Sequence, residues 1–243
     1  MNVITTRLAR FSDTTQHLAT LVAGWGIVAM TLLTVGADIL IFQQLIVPED
    51  ATATANNIID NEALFRMGIG SYLVVIILDV VVAWALYIFF SPTSQNLSLL
   101  AAWFRLLYSA IFAVALINYF DVFQLIENAD YLTVFEPTEA NAQVMLSINA
   151  FADGWDIGFI FLGLHLICLG NLVLRSTYVP WILGILVGLA GVGYLISKLT
   201  HFLLPDYDLS MLMMIGWGEL IFAVWLLWKG NKGTKRMSEI NSK

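Results

Sequence analysis

Residues 153–170 read DGWDIGFIFLGLHLICLG, and their reading decides the fold. The stretch is apolar enough for hydrocarbon, yet it holds Asp153, Asp156 and His165. A charge at the bilayer centre costs about 2.5–3.5 kcal/mol on insertion scales, so such groups face other helices or a wet interior rather than lipid. At about 100° per residue, Asp153 and Asp156 lie about 60° apart, on a side with Gly163 and Gly170. His165 falls half a turn from Asp156, beside Gly158, Phe161 and Cys168. A helix with polar or small residues on opposite sides is expected at the centre of a bundle. Asp156 and His165 are also about 13 Å apart along the axis, so they cannot hold one ion together.

Working outward, the whole chain has the same character. Of its 243 residues 59% are hydrophobic and only 12% charged, against about 25% charged in a soluble domain. The mean hydropathy is +0.82, that of an integral membrane protein. A bilayer core about 30 Å thick needs about 20 apolar residues per helix. Six windows meet that length, roughly 22–46, 67–90, 98–124, 148–172, 180–204 and 209–229. The expected fold is all-α, an integral membrane bundle of six transmembrane helices in a single membrane domain, 1–243. Residues 47–66 and 125–147 form long acidic connections, whereas 91–97, 173–179 and 205–208 are short. After Pro48, Asp50 can cap a surface helix through ATATANNIIDNEALF.

Charge sets the orientation. With six crossings, Arg7, Arg10, Arg175, Lys229, Lys232, Lys235, Arg236 and Lys243 share one side, and the opposite connections hold mainly acids. The positive-inside rule then puts both termini in the cytoplasm. The N-terminus has a long polar lead followed by a full span, so no cleaved signal is expected. GNKGTKRMSEINSK, residues 230–243, reads as a basic disordered tail, with an anionic lipid surface as its functional alternative. Nucleic acid is excluded as a partner by the net charge of −7 and the lack of a basic motif in a soluble region. The single cysteine, Cys168, allows no disulfide within the chain.

The intramembrane polar groups crowd the centre and the outer half. Asp79 and Glu219 fall near the midplane, Asp38 and Asp156 about 6 Å outward, Lys198 about 9 Å and His201 about 13 Å outward. Asn118, Asp121 and Asp153 are also outward, and His165 lies slightly inward. On span five Gly184, Gly188, Gly191, Tyr194, Lys198 and His201 share a stripe about 140° wide that should face neighbouring helices. Gly68, Tyr72, Asp79 and Ala83 align on span two, and Leu212, Gly216, Glu219 and Ala223 on span six. The candidate site residues are therefore Asp38, Asp79, Asp153, Asp156, His165, Tyr194, Lys198, His201 and Glu219, with Arg66 at the outer end of span two. These acids outnumber the buried bases, so some are expected to hold a proton or share a cation. Arg105, by contrast, reads as a side chain snorkelling to the cytoplasmic interface, and His17 as solvated.

The motif order is informative in itself. PEDATATANNI followed by LFR, then NLSLLAAWFRL, DGWDIGFIFLGLHLICLGNLVLRS, YVPWILGILVGLAGVGYLI and the closing GE and LWKG resemble a large bacterial family of multispanning proteins, domain of unknown function 4386. The resemblance runs from span one to Gly230. It implies the fold and a bacterial cytoplasmic (inner) membrane setting, but no activity and no cofactor. It marks Arg66, Arg105, Asp156, Gly163, His165, Pro180, Gly184, Gly191, Tyr194 and Glu219 as motif positions only.

Three functional readings follow. The first is a polar intramembrane cavity that binds or passes a small solute, a proton or a cation, since proton relays in membranes use Asp, Glu and His chains. With six spans and no inverted repeat, a carrier of this kind would need a homo-oligomer. The second is a metal-dependent hydrolase acting on membrane lipid, with His165, His201 and aspartates as ligands; no HxxxH or HExxH supports it. The third is a non-catalytic sensor or scaffold whose polar core fixes helix register.

Overall fold

The computed structural model describes residues 2–126, 136–204, 206, 207 and 209–241. Lys243 of the basic set, and Glu127, Asp130 and Asp208 among the acids of the opposite connections, lie outside the described residues. The elements are α1 (Asn2–Ala37), a π-helical turn (Asp38–Phe42) leading into α2 (Gln43–Leu45), α3 (Ala51–Asp60), α4 (Glu62–Phe90), α5 (Gln95–Ile126), α6 (Pro137–Arg175), α7 (Trp181–Leu203), a 3-10 segment (Ser210–Gly216) and α8 (Trp217–Asn241). The chain is all-α, with no strand among the described residues. Six stretches are long and apolar enough to cross a membrane: Thr15–Leu45, Glu62–Phe90, Gln95–Ile126, Thr138–Arg175, Trp181–Leu203 and Met211–Gly230. Large apolar side chains such as Leu32, Ile77, Val114 and Leu189 stand on the surface, as a lipid-facing bundle requires.

Most helices run past their apolar windows, and local chemistry explains where they start. α6 begins at Pro137, before the expected span at 148. Proline tolerates the first helical position, where its missing N–H has no partner to lose. The Glu136 N–H also donates to Glu139 Oε2 at 3.3 Å, the reciprocal half of a capping box. α3 begins where the sequence places it, with Asp50 accepting from the Ala53 N–H at 2.8 Å, but it stops at Asp60, and residues 62–65 already belong to α4. Thr54, Ala55 and Ile58 of α3 are buried, so this helix packs on the protein through one face. α8 runs on to Asn241, into the basic stretch that follows the last apolar window. Extending an existing helix avoids the nucleation cost, and Lys, Arg, Met and Glu are good helix formers.

Contacts gather the chain into two compact units. The first comprises Met1–Ala29, Leu78–Leu107 and Phe159–Lys243. Its α6 and α7 meet backbone to backbone: a Cβ at Gly191 would lie 2.5 Å from the Gly163 carbonyl oxygen, and one at Gly170 2.7 Å from that of Gly184. This is the small-residue packing expected of span five. In the same unit Gly24 packs on Leu227 and Ala223 of α8. His17 Nε2 donates to the Gly230 carbonyl at 2.8 Å, so His17 is docked against α8 rather than merely solvated.

The second unit comprises Met30–Ile77 and Tyr108–Gly158, and its core is aromatic. Tyr119 and Phe151 stack at 4.0 Å between centroids, and Phe112 and Trp155 at 4.8 Å with planes 4° apart. Tyr72 touches Phe42, Phe112, Phe151 and Trp155. Trp155 Nε1 donates to Tyr108 Oη at 3.1 Å, which gives the half-buried indole its polar partner. The π-helical turn at Asp38–Phe42 inserts an extra residue into a helical ladder, and Phe42 at its end is buried in this cluster.

Candidate functional site

Within the first unit, four helices place polar side chains at one point. On α5, Ser98, Ala101, Ala102 and Arg105 are buried, whereas Leu99, Leu100, Trp103, Leu106 and Leu107 are exposed. Arg105 thus sits on the small-residue stripe facing the protein. α4 contributes Asp79 from a buried stripe with Val82, Ala83 and Leu86. α6 contributes His165, flanked by the buried Leu162, Leu166 and Leu169. Glu219 lies in the first turn of α8.

The guanidinium is the hub. Arg105 Nε donates to Asp79 Oδ1 at 2.9 Å, and Nη1 donates to Glu219 Oε1 at 2.6 Å. The same Nη1 lies 3.1 Å from His165 Nε2. His165 Nδ1 lies 2.8 Å from the Ala101 carbonyl oxygen. A carbonyl only accepts, so Nδ1 carries the proton and donates to it. Nε2 then keeps its lone pair and accepts the second Nη1 hydrogen. The imidazole is therefore neutral in this arrangement. The planar guanidinium fork supplies these divergent donors from one group, which an ammonium on a flexible stem matches poorly. Arg105 and Asp79 side chains are each 3% exposed, and Glu219 is 15% exposed. One guanidinium faces two carboxylates, so with all three ionised the cluster carries an excess negative charge.

Of the residues picked out from the sequence, Asp79, His165 and Glu219 come together. Tyr194 and Lys198 meet instead on Phe159: the Tyr194 ring is 5.3 Å away edge-on, and the Lys198 ammonium 5.4 Å from the ring centre. His201 is exposed near the end of α7, which stops two residues later at Leu203, against the expectation that its whole stripe faces helices. Four candidates belong to the second unit. Asp38 accepts from Gln43 Nε2 at 2.9 Å. Arg66 pairs with Glu62 at 2.6 Å and covers the Phe123 ring at 4.1 Å. Asp153 is exposed and Asp156 half-buried.

Arg105 is the residue that sequence reading missed. It is buried and paired, so the snorkelling interpretation is corrected. The signal was present: Arg105 is in phase with Ser98, Ala101, Ala102 and Ser109, and Asp79 and Glu219 required a counter-charge. Among the described residues, no three His, Cys, Asp or Glu side chains gather as a metal site.

A polytopic all-α membrane protein with an ion-paired core is thus defined. Residues 22–230 match the family model described as "Domain of unknown function (DUF4386)", and the chain belongs to that family. It is similar to an uncharacterised protein of Archaeoglobus fulgidus, 38% identical over 164 residues that cover 68% of this chain and 83% of the relative. No solved structure matches.

Proposed function

We propose that this protein binds or passes a proton or a small cation at the Asp79–Arg105–Glu219–His165 cluster. The observation that carries the reading is the charge balance. Two carboxylates converge on one guanidinium, and the neighbouring imidazole is neutral, its Nε2 accepting from Arg105. A group buried this deeply needs one further positive charge to be neutral, and a proton or cation supplies it. Glu219 is the more exposed member and is the point of exchange. The chain lies in a bacterial cytoplasmic membrane with both termini inside, an orientation supported by the clustering of Lys and Arg at one end of the topology. A transport cycle on six short spans runs in a homo-oligomer.

The test is flux in proteoliposomes carrying a pH-sensitive or cation-sensitive dye. Wild-type protein is expected to dissipate an imposed proton or cation gradient faster than empty liposomes. Glu219→Gln and Asp79→Asn should abolish the difference while keeping the helical circular dichroism. Wild-type rates equal to those of empty liposomes for protons, sodium and potassium overturn the proposal.

A second reading, a non-catalytic bundle whose polar core fixes helix register, is favoured by one observation. No buried side-chain nitrogen or oxygen among the described residues lacks a hydrogen-bond partner, as in a structural network. That reading predicts that the carboxamide variants change stability alone.

A further inference from the structure

At one end of the first unit, two segments border an open cavity of about 550 Å³. Its wall is the α6–α7 connection, Thr177–Pro180, together with Trp225, Trp228 and Lys229 of α8. Among the described residues Lys229 is the only charged side chain lining it, and it is held in place. Its Nζ donates to the Tyr178 carbonyl at 2.6 Å and lies 4.8 Å from the Tyr178 ring centre and 4.9 Å from that of Trp225. Tyr178 is itself fixed: its hydroxyl donates to the Phe89 carbonyl at 2.9 Å and accepts from Thr93 Oγ1 at 2.9 Å. Burial pushes the Tyr178 phenol pKa above its ordinary value, so it stays a neutral donor. Among the described residues no carboxylate pairs with Lys229. An ammonium with three donor hydrogens, one of them committed, thus stands in a cavity with no anion to match it. Trp228 is 57% exposed beside it, and Trp181, the first residue of α7, is 64% exposed. Exposed indoles at the end of a span are the side chains that settle at the headgroup level of a bilayer.

We propose that this cavity binds the headgroup phosphate of an anionic phospholipid, with Lys229 as the cation and Trp225 and Trp228 against the glycerol and upper acyl chain. The chemistry is complementary at both ends: a cation where the phosphate lies and apolar ring faces where the lipid becomes greasy. The first-turn N–H groups of α7, which has no side-chain cap at Pro180, add positive potential at the same rim. The sequence adds Arg175 just before the loop and Lys232, Lys235 and Arg236 just after α8 leaves the span. A basic juxtamembrane end of this kind gains attraction to anionic lipid with each added cation.

The experiment uses full-length protein in nonionic micelles titrated with phosphatidylglycerol, phosphatidylcholine or inorganic phosphate, with thermal stability as the readout. Phosphatidylglycerol is expected to act at roughly fivefold lower concentration than phosphatidylcholine. Lys229→Gln should erase that preference and Lys229→Arg should keep it. A stabilisation by inorganic phosphate equal to that by phosphatidylglycerol would identify a free-anion site and overturn the lipid assignment. An unchanged preference in Lys229→Gln would overturn the whole proposal. If Lys229→Gln does not fold, quenching decides the matter. In nanodiscs with brominated chains, the fluorescence lost on Trp228→Phe should be quenched more by brominated phosphatidylglycerol than by brominated phosphatidylcholine. Equal quenching by the two lipids rejects the site.

Discussion

Replacing Arg105 by methionine keeps the bulk of the side chain and removes the charge. Three groups then lose a partner at once: Asp79 Oδ1 at 2.9 Å, Glu219 Oε1 at 2.6 Å and His165 Nε2 at 3.1 Å. Removing one member of a buried ion pair costs about 3–5 kcal/mol, because the remaining charge is left uncompensated. Asp79, 3% exposed, takes the larger share. Glu219, at 15%, can recover some hydration. The expected loss is therefore within that range rather than a sum over three bonds. Arg66→Met is the control. It breaks an exposed pair with Glu62 and should cost under about 1 kcal/mol. The assay is reversible unfolding in mixed micelles, with increasing sodium dodecyl sulfate and far-ultraviolet circular dichroism as the readout. Converting Asp79 to Asn and Glu219 to Gln in the Arg105→Met background removes the stranded charges, and should restore about 1–3 kcal/mol as a coupling term. An Arg105→Met protein within about 1 kcal/mol of the parent, or no recovery with the two amides, would refute the buried counter-charge and return Arg105 to the interface.

Two further outcomes follow from packing and capping. Gly191→Val should destabilise the protein by about 1–3 kcal/mol in the same unfolding assay, because a Cβ there meets the Gly163 carbonyl at 2.5 Å and α6 must move away from α7; Gly188→Ala, where nothing lies within 4 Å, should be nearly neutral. Asp50→Ala removes the cap on α3 and should cost about 0.5–2 kcal/mol, with faster proteolysis near residues 47–60 as the local readout.

The spans were legible because twenty apolar residues in a row have few soluble alternatives. Their true lengths were less so. Pro137 and Glu139 start α6 by end chemistry, in a segment too polar to count as a span. Phase analysis found the faces of Asp79 and Glu219, since a lone acid in an apolar helix marks a face. Their partner stayed hidden because a long basic side chain near a span end has a cheap alternative, reaching back to water. Arg105 discloses itself only when α5 is read by phase too, against the exposed Trp103 and Leu106. The aromatic cluster of the second unit was not legible. Phe42, Tyr72, Tyr119 and Phe151 come from four elements, and no local pattern pairs rings across helices. The π-helical turn beginning at Asp38 gave no signal either.

The four-way tie at Arg105 also bears on how the chain enters its membrane. Helices leave the insertion machinery in chain order, and α5 released alone would carry an unmatched guanidinium at a cost of about 2.5–3.5 kcal/mol. Its nearest remedy, Asp79, sits on the helix made immediately before it. α4 and α5 are thus suited to partition as a neutralised hairpin, with the short turn at Ser91–Ser94 keeping them together. Glu219 arrives only with the last helix. Until then Asp79 alone answers the cation, and synthesis of α8 adds the second carboxylate that ties it to the hairpin, making α8 the latch of the assembly.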